Sequence, residues 1–76
     1  MKEMLENIAK ALVDSPDDVS VSEIQSEQSL ILELHVAQDD MGKVIGKQGR
    51  IAKCIRTLVR AAATRENKRV IVEIVN

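Results

Sequence analysis

Between Gly42 and Lys53 the sequence reads GKVIGKQGRIAK. This stretch holds all three glycines of the chain and four of its eleven basic residues, Lys43, Lys47, Arg50 and Lys53. Gly46 and Gly49 bracket Lys47 and Gln48. Glycine takes positive φ without a steric penalty and lets another backbone come close. A tight turn that feeds a helix leaves backbone N–H groups free, and the helix dipole draws anions to that end. Lys47, Arg50 and Lys53 surround the spot with cations. These residue types at this spacing describe a turn that contacts phosphate. Val44 and Ile45, just ahead of it, offer an apolar floor for a base, although for at least one of them plain core packing is expected instead; Lys43 is a lesser phosphate contact.

Other phosphate motifs do not fit. A Walker A loop needs G-x-x-x-x-G-K followed by Ser or Thr. Gly42 and Gly46 are separated by three residues, and Gln48 follows Lys47. The dinucleotide fingerprint G-x-G-x-x-G is absent, which leaves a nucleotide-dependent enzyme as a remote reading. His35 is the one histidine and has no ligand companions; a surface or edge position suits it. Cys54 is the one cysteine, so it has no internal disulfide partner and no zinc-site companions. It sits on an apolar helix sector and is expected in the core. No serine–base or carboxylate pair stands at catalytic spacing. The reading is non-enzymatic, with no cofactor and no metal.

The elements that must position the turn follow from periodicity. Residues 2–13 read as an amphipathic helix, with Leu5, Ile8 and Leu12 on one face. Ser15-Pro16 stops it, because a residue before proline avoids helical geometry. A strand over 19–24 alternates through Val19 and Val21. Ile24 breaks that alternation, so its end is expected to bulge or splay. QSEQS at 25–29 suits a hairpin loop. Residues 30–36 form the clearest strand, with Leu30, Leu32, Leu34 and Val36 on one face and Ile31, Glu33 and His35 on the other. Asp39 or Asp40 can cap a short helix over Met41–Ile45. A longer helix follows from Arg50 to Arg65, with Asn67 as a left-handed closing residue. Residues 70–75 form the last strand.

The order is α-β-β-α-α-β over residues 1–76, read as one domain. The expected class is α+β: a three-stranded mixed sheet covered on one face by three helices, in two layers. The first two strands form a hairpin. The second and third join through two helices, which suits a parallel pair with a right-handed crossover.

Composition narrows the function. The chain has 76 residues, 45 % hydrophobic and 30 % charged, which excludes disorder. No apolar run approaches the ~18 residues of a membrane span. The start, MKEMLENIAK, is too charged for a signal peptide. With a lone cysteine, a reducing, cytoplasmic setting is expected. Net charge is −1, but the halves differ. Residues 1–40 hold ten acids and two lysines, whereas residues 41–76 hold nine bases and two acids. A polyanion partner for the second half would explain that split, as would attraction between the halves. Phe, Tyr and Trp are all absent, so recognition of bases by aromatic stacking is excluded.

G-x-x-G placed between two helices, preceded by Val44-Ile45, within α-β-β-α-α-β, resembles the type II KH domain over essentially the whole chain. With DMGKVIGKQGRIAKCIRTLVRAAA, the sequence is similar to the small stand-alone bacterial KH proteins of the KhpA family. The pattern departs at one slot: G-x-x-G-x-x-I would place isoleucine at Ala52, and Ile51 stands one position early. The resemblance implies single-stranded RNA binding at Lys43, Val44, Ile45, Gly46, Lys47, Gln48, Gly49, Arg50 and Lys53. It also implies self-association, pairing with a second KH protein of the Jag (KhpB) type, and work as a post-transcriptional regulator or RNA chaperone linked to cell shape and division. The alternative is a protein-interaction module that uses a KH fold with little RNA binding of its own.

The long helix carries an apolar surplus. Ile51, Cys54, Ile55, Leu58, Val59, Ala61, Ala62 and Ala63 spread over about half the wheel, whereas packing on one sheet needs a stripe of about 100°. On that arc Leu58 lies near the centre and Val59 near the rim. The excess is expected to meet the first helix or to form a homodimer interface, which would aid so small a domain. Arg56 and Arg60 are left for solvent or a partner.

Overall fold

The computed structural model describes residues 1–75. The chain runs through α1 (Lys2–Leu12), β1 (Ser20–Gln25), β2 (Leu30–His35), α2 (Met41–Ile45), α3 (Arg50–Arg65) and β3 (Val70–Val75). This is the α-β-β-α-α-β order that periodicity predicts. The sheet order is β1-β2-β3. β1 and β2 pair antiparallel, with Val21 opposite Leu34; β2 and β3 pair parallel, with Leu32 opposite Val72. The mixed sheet follows from connection length, since four loop residues allow only a hairpin and a parallel pair needs a long crossover.

The helices lie on one face of the sheet, and the core fills the space between. Leu5 and Ala9 come from α1, Val44 from α2, and Ile55, Val59 and Ala63 from α3. They pack on Val19, Val21, Leu32, Leu34, Val36, Val70 and Val72. Leu5, Leu32 and Leu34 are completely buried, each contributing about 1.5–3 kcal/mol by leaving water. With no aromatic residue available, the interior is filled by branched aliphatics and by alanines that let the helices approach closely.

Three expectations need correction. β1 does not bulge: its pairing is regular through Ile24–Ile31 and Gln25–Leu30. Ile24 breaks the alternation because it faces the open side of the sheet, in one row with Ile31 and Ile71. On α3 the buried residues are Ala52, Ile55, Val59 and Ala63. Val59 is therefore core rather than rim, and Leu58 is 54 % exposed. Cys54 is exposed rather than packed inside. Ala52 and Ala63 mark the side of α3 that comes closest to its neighbours, which shifts the buried arc away from Leu58 and Cys54.

The C-terminus of α3 closes as its sequence predicts. Asn67 has φ 56°. Lys68 N–H donates to Ala63 O at 2.9 Å, and Asn67 N–H to Thr64 O at 3.1 Å. This Schellman pair satisfies two carbonyls at the helix end.

Candidate nucleic-acid interface

The Gly46–Gly49 turn joins α2 to α3 at a point where the backbone leaves ordinary conformations three times. Gly46 has φ 77° and ψ 175°, Gln48 has φ 59° and ψ 25°, and Gly49 has φ 74° and ψ 16°. The two glycines serve different needs. A Cβ on Gly46 would stand 2.5 Å from Ile51 Cγ1, whereas one on Gly49 would meet nothing within 4 Å. Gly46 thus answers both an extended positive-φ backbone, a region essentially restricted to glycine, and the side chain of Ile51 lying across it. Gly49 answers backbone geometry alone. The early isoleucine fits the departure at Ala52: Ile51 closes over the turn, while Ala52 lies on the buried face of α3.

The turn leaves donors exposed. Gly49 N–H donates to Gly46 O at 3.2 Å, and Arg50 N–H to Lys47 O. Among the described residues, the N–H groups of Lys47 and Gln48 donate to no turn, cap or side-chain acceptor. α3 begins on Gly49 with no side-chain cap and no acidic residue in its first turn. A helix N-terminus ordinarily gains from Asp or Glu there, because the free N–H groups carry partial positive charge. Arg50 and Lys53 stand there instead. The local arrangement is electrostatically unfavourable on its own, and an anion placed there would relieve it.

Lys47, Gln48, Arg50 and Lys53 are all exposed, and Ile45 is exposed at the last turn of α2. Two sequence-assigned residues sit elsewhere. Val44 is completely buried, so it gives α2 a packed base rather than a contact surface. Lys43 points back toward α1, with its Nζ 3.0 Å from Asp14 Oδ2 and 3.6 Å from Asp40 Oδ1.

Asp40 has a role that the sequence does not disclose. Its side chain makes no capping bond to α2. Its carboxylate instead accepts from the backbone N–H groups of Asp14 at 3.2 Å and Ser15 at 3.1 Å. It is 2 % exposed and ties the exit of α1 to the base of α2. Burial pushes the Asp40 carboxyl up, but the Asp14 and Ser15 N–H groups and the Lys43 ammonium outweigh it and hold its pKa below the ordinary value. The hydrogen bond and charge of Asp14, with Asp40 behind them, hold the Lys43 ammonium above its own. The partners lie 25 and 26 residues away in sequence, beyond any local pattern.

The edge of β3 runs beside α3. Arg56 Nε donates to Val72 O at 3.4 Å, so that carbonyl points away from β2. Backbone groups alternate along a strand, so Val70 and Ile74 share this free edge. At 100° per residue, Arg50, Lys53, Arg56 and Arg60 fall within about 120° of the α3 wheel. A basic stripe thus runs from the glycine turn down the helix. Cys54, Leu58 and Ala61 form a separate exposed apolar strip on the opposite flank. His35 lies on the open sheet face, its Nε2 4.0 Å from Glu33 Oε1. Among the described residues no group of three His, Cys, Asp or Glu could hold a metal, and no helix is long and apolar enough to cross a membrane.

With this geometry established, known proteins give three comparisons. A family model described as "KhpA/KhpB, KH domain" matches residues 2–74. Proteins named "RNA-binding protein KhpA" are similar over their full length. That of Clostridium acetobutylicum is 71 % identical over 75 residues, covering 99 % of this chain and 100 % of its own. That of Clostridium perfringens is 67 % identical with the same coverage. That of Halalkalibacterium halodurans is 58 % identical over 76 residues, covering 100 % of both chains. Among solved structures, a variant of Aquifex aeolicus Era bound to GDP and AlF4− superposes with a TM-score of 0.68 at 20 % identity, over 96 % of this chain and 28 % of that one. That likeness concerns the fold alone.

Proposed function

The chain belongs to the KhpA/KhpB family of KH-domain proteins, and on that premise we propose that it binds single-stranded RNA through the Gly46–Gly49 turn. One observation carries this reading. α3 starts uncapped, without an acid in its first turn, at a turn whose strained backbone leaves Lys47 and Gln48 exposed with free N–H groups. Phosphates accept from those groups and pair with Lys47, Arg50 and Lys53. Bases lie against Ile45 and Ile51 and along the free edge of β3, since the chain has no Phe, Tyr or Trp for stacking. A KH loop of this kind clamps about four nucleotides. One such site binds weakly, and specificity comes from two domains acting together. The protein then works in the cytoplasm, without catalysis, as a post-transcriptional regulator or RNA chaperone.

Changing Lys47 and Gln48 together to Asp tests the reading. Both side chains are exposed, so circular dichroism should be unchanged, and gel-shift binding of single-stranded RNA should be lost. Retained affinity in a folded variant overturns the assignment. Salt gives an independent measure. Two or three neutralised phosphates predict a log K against log[salt] slope of about −1.4 to −2.1 on a single strand.

A second role rests on the apolar strip of α3. Leu58 is 54 % exposed beside the exposed Cys54 and Ala61. We propose this strip as the interface of a homodimer, or of a heterodimer with a Jag/KhpB-type KH protein. Leu58→Lys should leave a folded monomer in sedimentation at tens of micromolar, where the unaltered protein sediments as a dimer. An unaltered protein that is itself monomeric there refutes the homodimer.

A further inference from the structure

We propose that the far end of α3 holds a second phosphate-binding subsite, which takes the backbone of the same RNA strand beyond the nucleotides clamped at the glycine turn. This inference rests on the RNA-binding reading above. A shallow cavity of about 370 Å³ opens between the last turns of α3 and the start of β3, lined by Arg60, Thr64, Lys68, Arg69, Val70 and Ile71. Three of these six are cationic. Arg60 and Arg69 make no ion pair among the described residues, whereas Lys68 Nζ lies 3.6 Å from Glu66 Oε1 in an exposed pair. Thr64 Oγ1 donates to Arg60 O at 3.0 Å, so Thr64 forms a wall and leaves its proton unavailable to a ligand. The two unpaired guanidiniums are the phosphate ligands, suited to bidentate contact.

Position gives the cavity its occupant. It continues the stripe that starts at the turn with Arg50 and Lys53 and passes Arg56 and Arg60. From Arg50 to Arg60 is ten residues, or about 15 Å of helix axis. Val70 presents its backbone on the free edge of β3, and Ile71 adds an apolar surface that is 44 % exposed. Cationic donors, a free strand edge and an aliphatic surface in one cavity fit a nucleotide. A protein partner would bury the guanidiniums only against acids, and the continuity with the stripe favours a nucleic-acid strand.

The test compares RNA length. Fluorescein-labelled RNA pools of randomised sequence, four and eight nucleotides long, are titrated by anisotropy. A four-nucleotide site alone gains about fivefold on the longer pool, from the number of registers; the unaltered protein should gain more. Arg60→Ala with Arg69→Ala should weaken the longer pool about tenfold at physiological salt, and flatten its salt slope by about 1.4, for two lost phosphate contacts. The shorter pool should change by less than about twofold, since its contacts lie at the turn. Both side chains are exposed, and circular dichroism checks that the fold is kept. Equal loss on both pools, or no loss on either, overturns the subsite. Unchanged RNA binding with lost self-association in sedimentation assigns the cluster to protein contact and also overturns it. If neither pool binds the unaltered protein, the RNA-binding reading itself fails, and this inference with it.

Discussion

The two ends of α3 solve the same geometric problem with opposite results. Each turns the chain sharply and uses positive φ to do so. At the C-terminal end one residue, Asn67, takes φ 56°, and the turn consumes helix carbonyls through Lys68 N–H and Asn67 N–H. At the N-terminal end Gly46, Gln48 and Gly49 all take positive φ, and N–H groups of Lys47 and Gln48 are left over. Asparagine tolerates the left-handed region and is common at helix ends. Glutamine has no such aptitude. Strain that satisfies backbone groups closes a helix, whereas strain that leaves them free is what the proposed phosphate contact requires. The far end is also basic, but there the cations stand around a finished turn.

Substitution at the two ends should break this symmetry most visibly. Gly46→Ala places a Cβ where Ile51 already lies and demands a backbone that alanine avoids. Together these should cost about 2–5 kcal/mol and abolish RNA binding. Gly49→Ala meets no atom, so only the φ penalty of about 1–2 kcal/mol applies. Asn67→Ala at the far end should cost about 1 kcal/mol and leave RNA binding by the turn unchanged. Urea unfolding of the three variants measures this order. A Gly46→Ala protein as stable as Gly49→Ala would mean that Ile51 does not lie over the turn.

How much of this was readable beforehand depends on the range of each interaction. The turn between two helices was legible, because the need for glycine is local and Gly46 and Gly49 announce it. The strands were legible from alternation, and Asn67 from its place just after an apolar helix. The orientation of α3 was not. Its apolar residues cover half the wheel, and the buried side is marked by small residues, Ala52 and Ala63, rather than by Leu58. Periodicity weighs large side chains, but close helix packing selects small ones. Asp40 was legible only as a possible helix cap, because its actual partners are backbone groups at the other end of α1. The same long-range contact takes Lys43 away from the turn.

That Asp40 contact anchors the entry to the glycine turn, and among the described residues the far end of α3 has no buried carboxylate like it. pH should therefore separate the two. The folded pKa of Asp40 is lowered, so its stabilisation is complete above the unfolded value of about 3.9 and is lost as pH falls through the folded value. The folded pKa of Lys43 is raised, so its contribution is complete below the unfolded value of about 10.4 and is lost as pH rises through the folded one. The latch is intact between these limits. Asp40→Asn should lower Tm by several degrees at neutral pH, and the gap from the unaltered protein should narrow as pH falls below about 4. A gap constant down to pH 2 (about two units below that value) would show that Asp40 titrates alike in the folded and unfolded chains, so that its buried contacts do not favour the ionised form.

The smallest effect concerns the one non-glycine residue strained at the turn. Gln48 holds φ 59°, which costs an ordinary side chain about 1–2 kcal/mol. Gln48→Gly removes that cost but adds the freedom of glycine in the unfolded chain, about 0.5–1 kcal/mol. The net expectation is a gain of about 0.5 kcal/mol in urea unfolding. At the other end Asn67→Gly should gain less, because asparagine already accepts the conformation. If the strain at Gln48 serves only the fold, RNA affinity should follow stability and be unchanged or better. If it holds the Lys47 and Gln48 N–H groups in place for phosphate, a freer loop must be ordered again on binding, and affinity should fall even as stability rises. Opposite signs for the two measurements at Gln48, with no change in RNA affinity at Asn67, would separate the turn that binds from the turn that closes. Parallel signs at Gln48 would show that the two ends differ in charge alone.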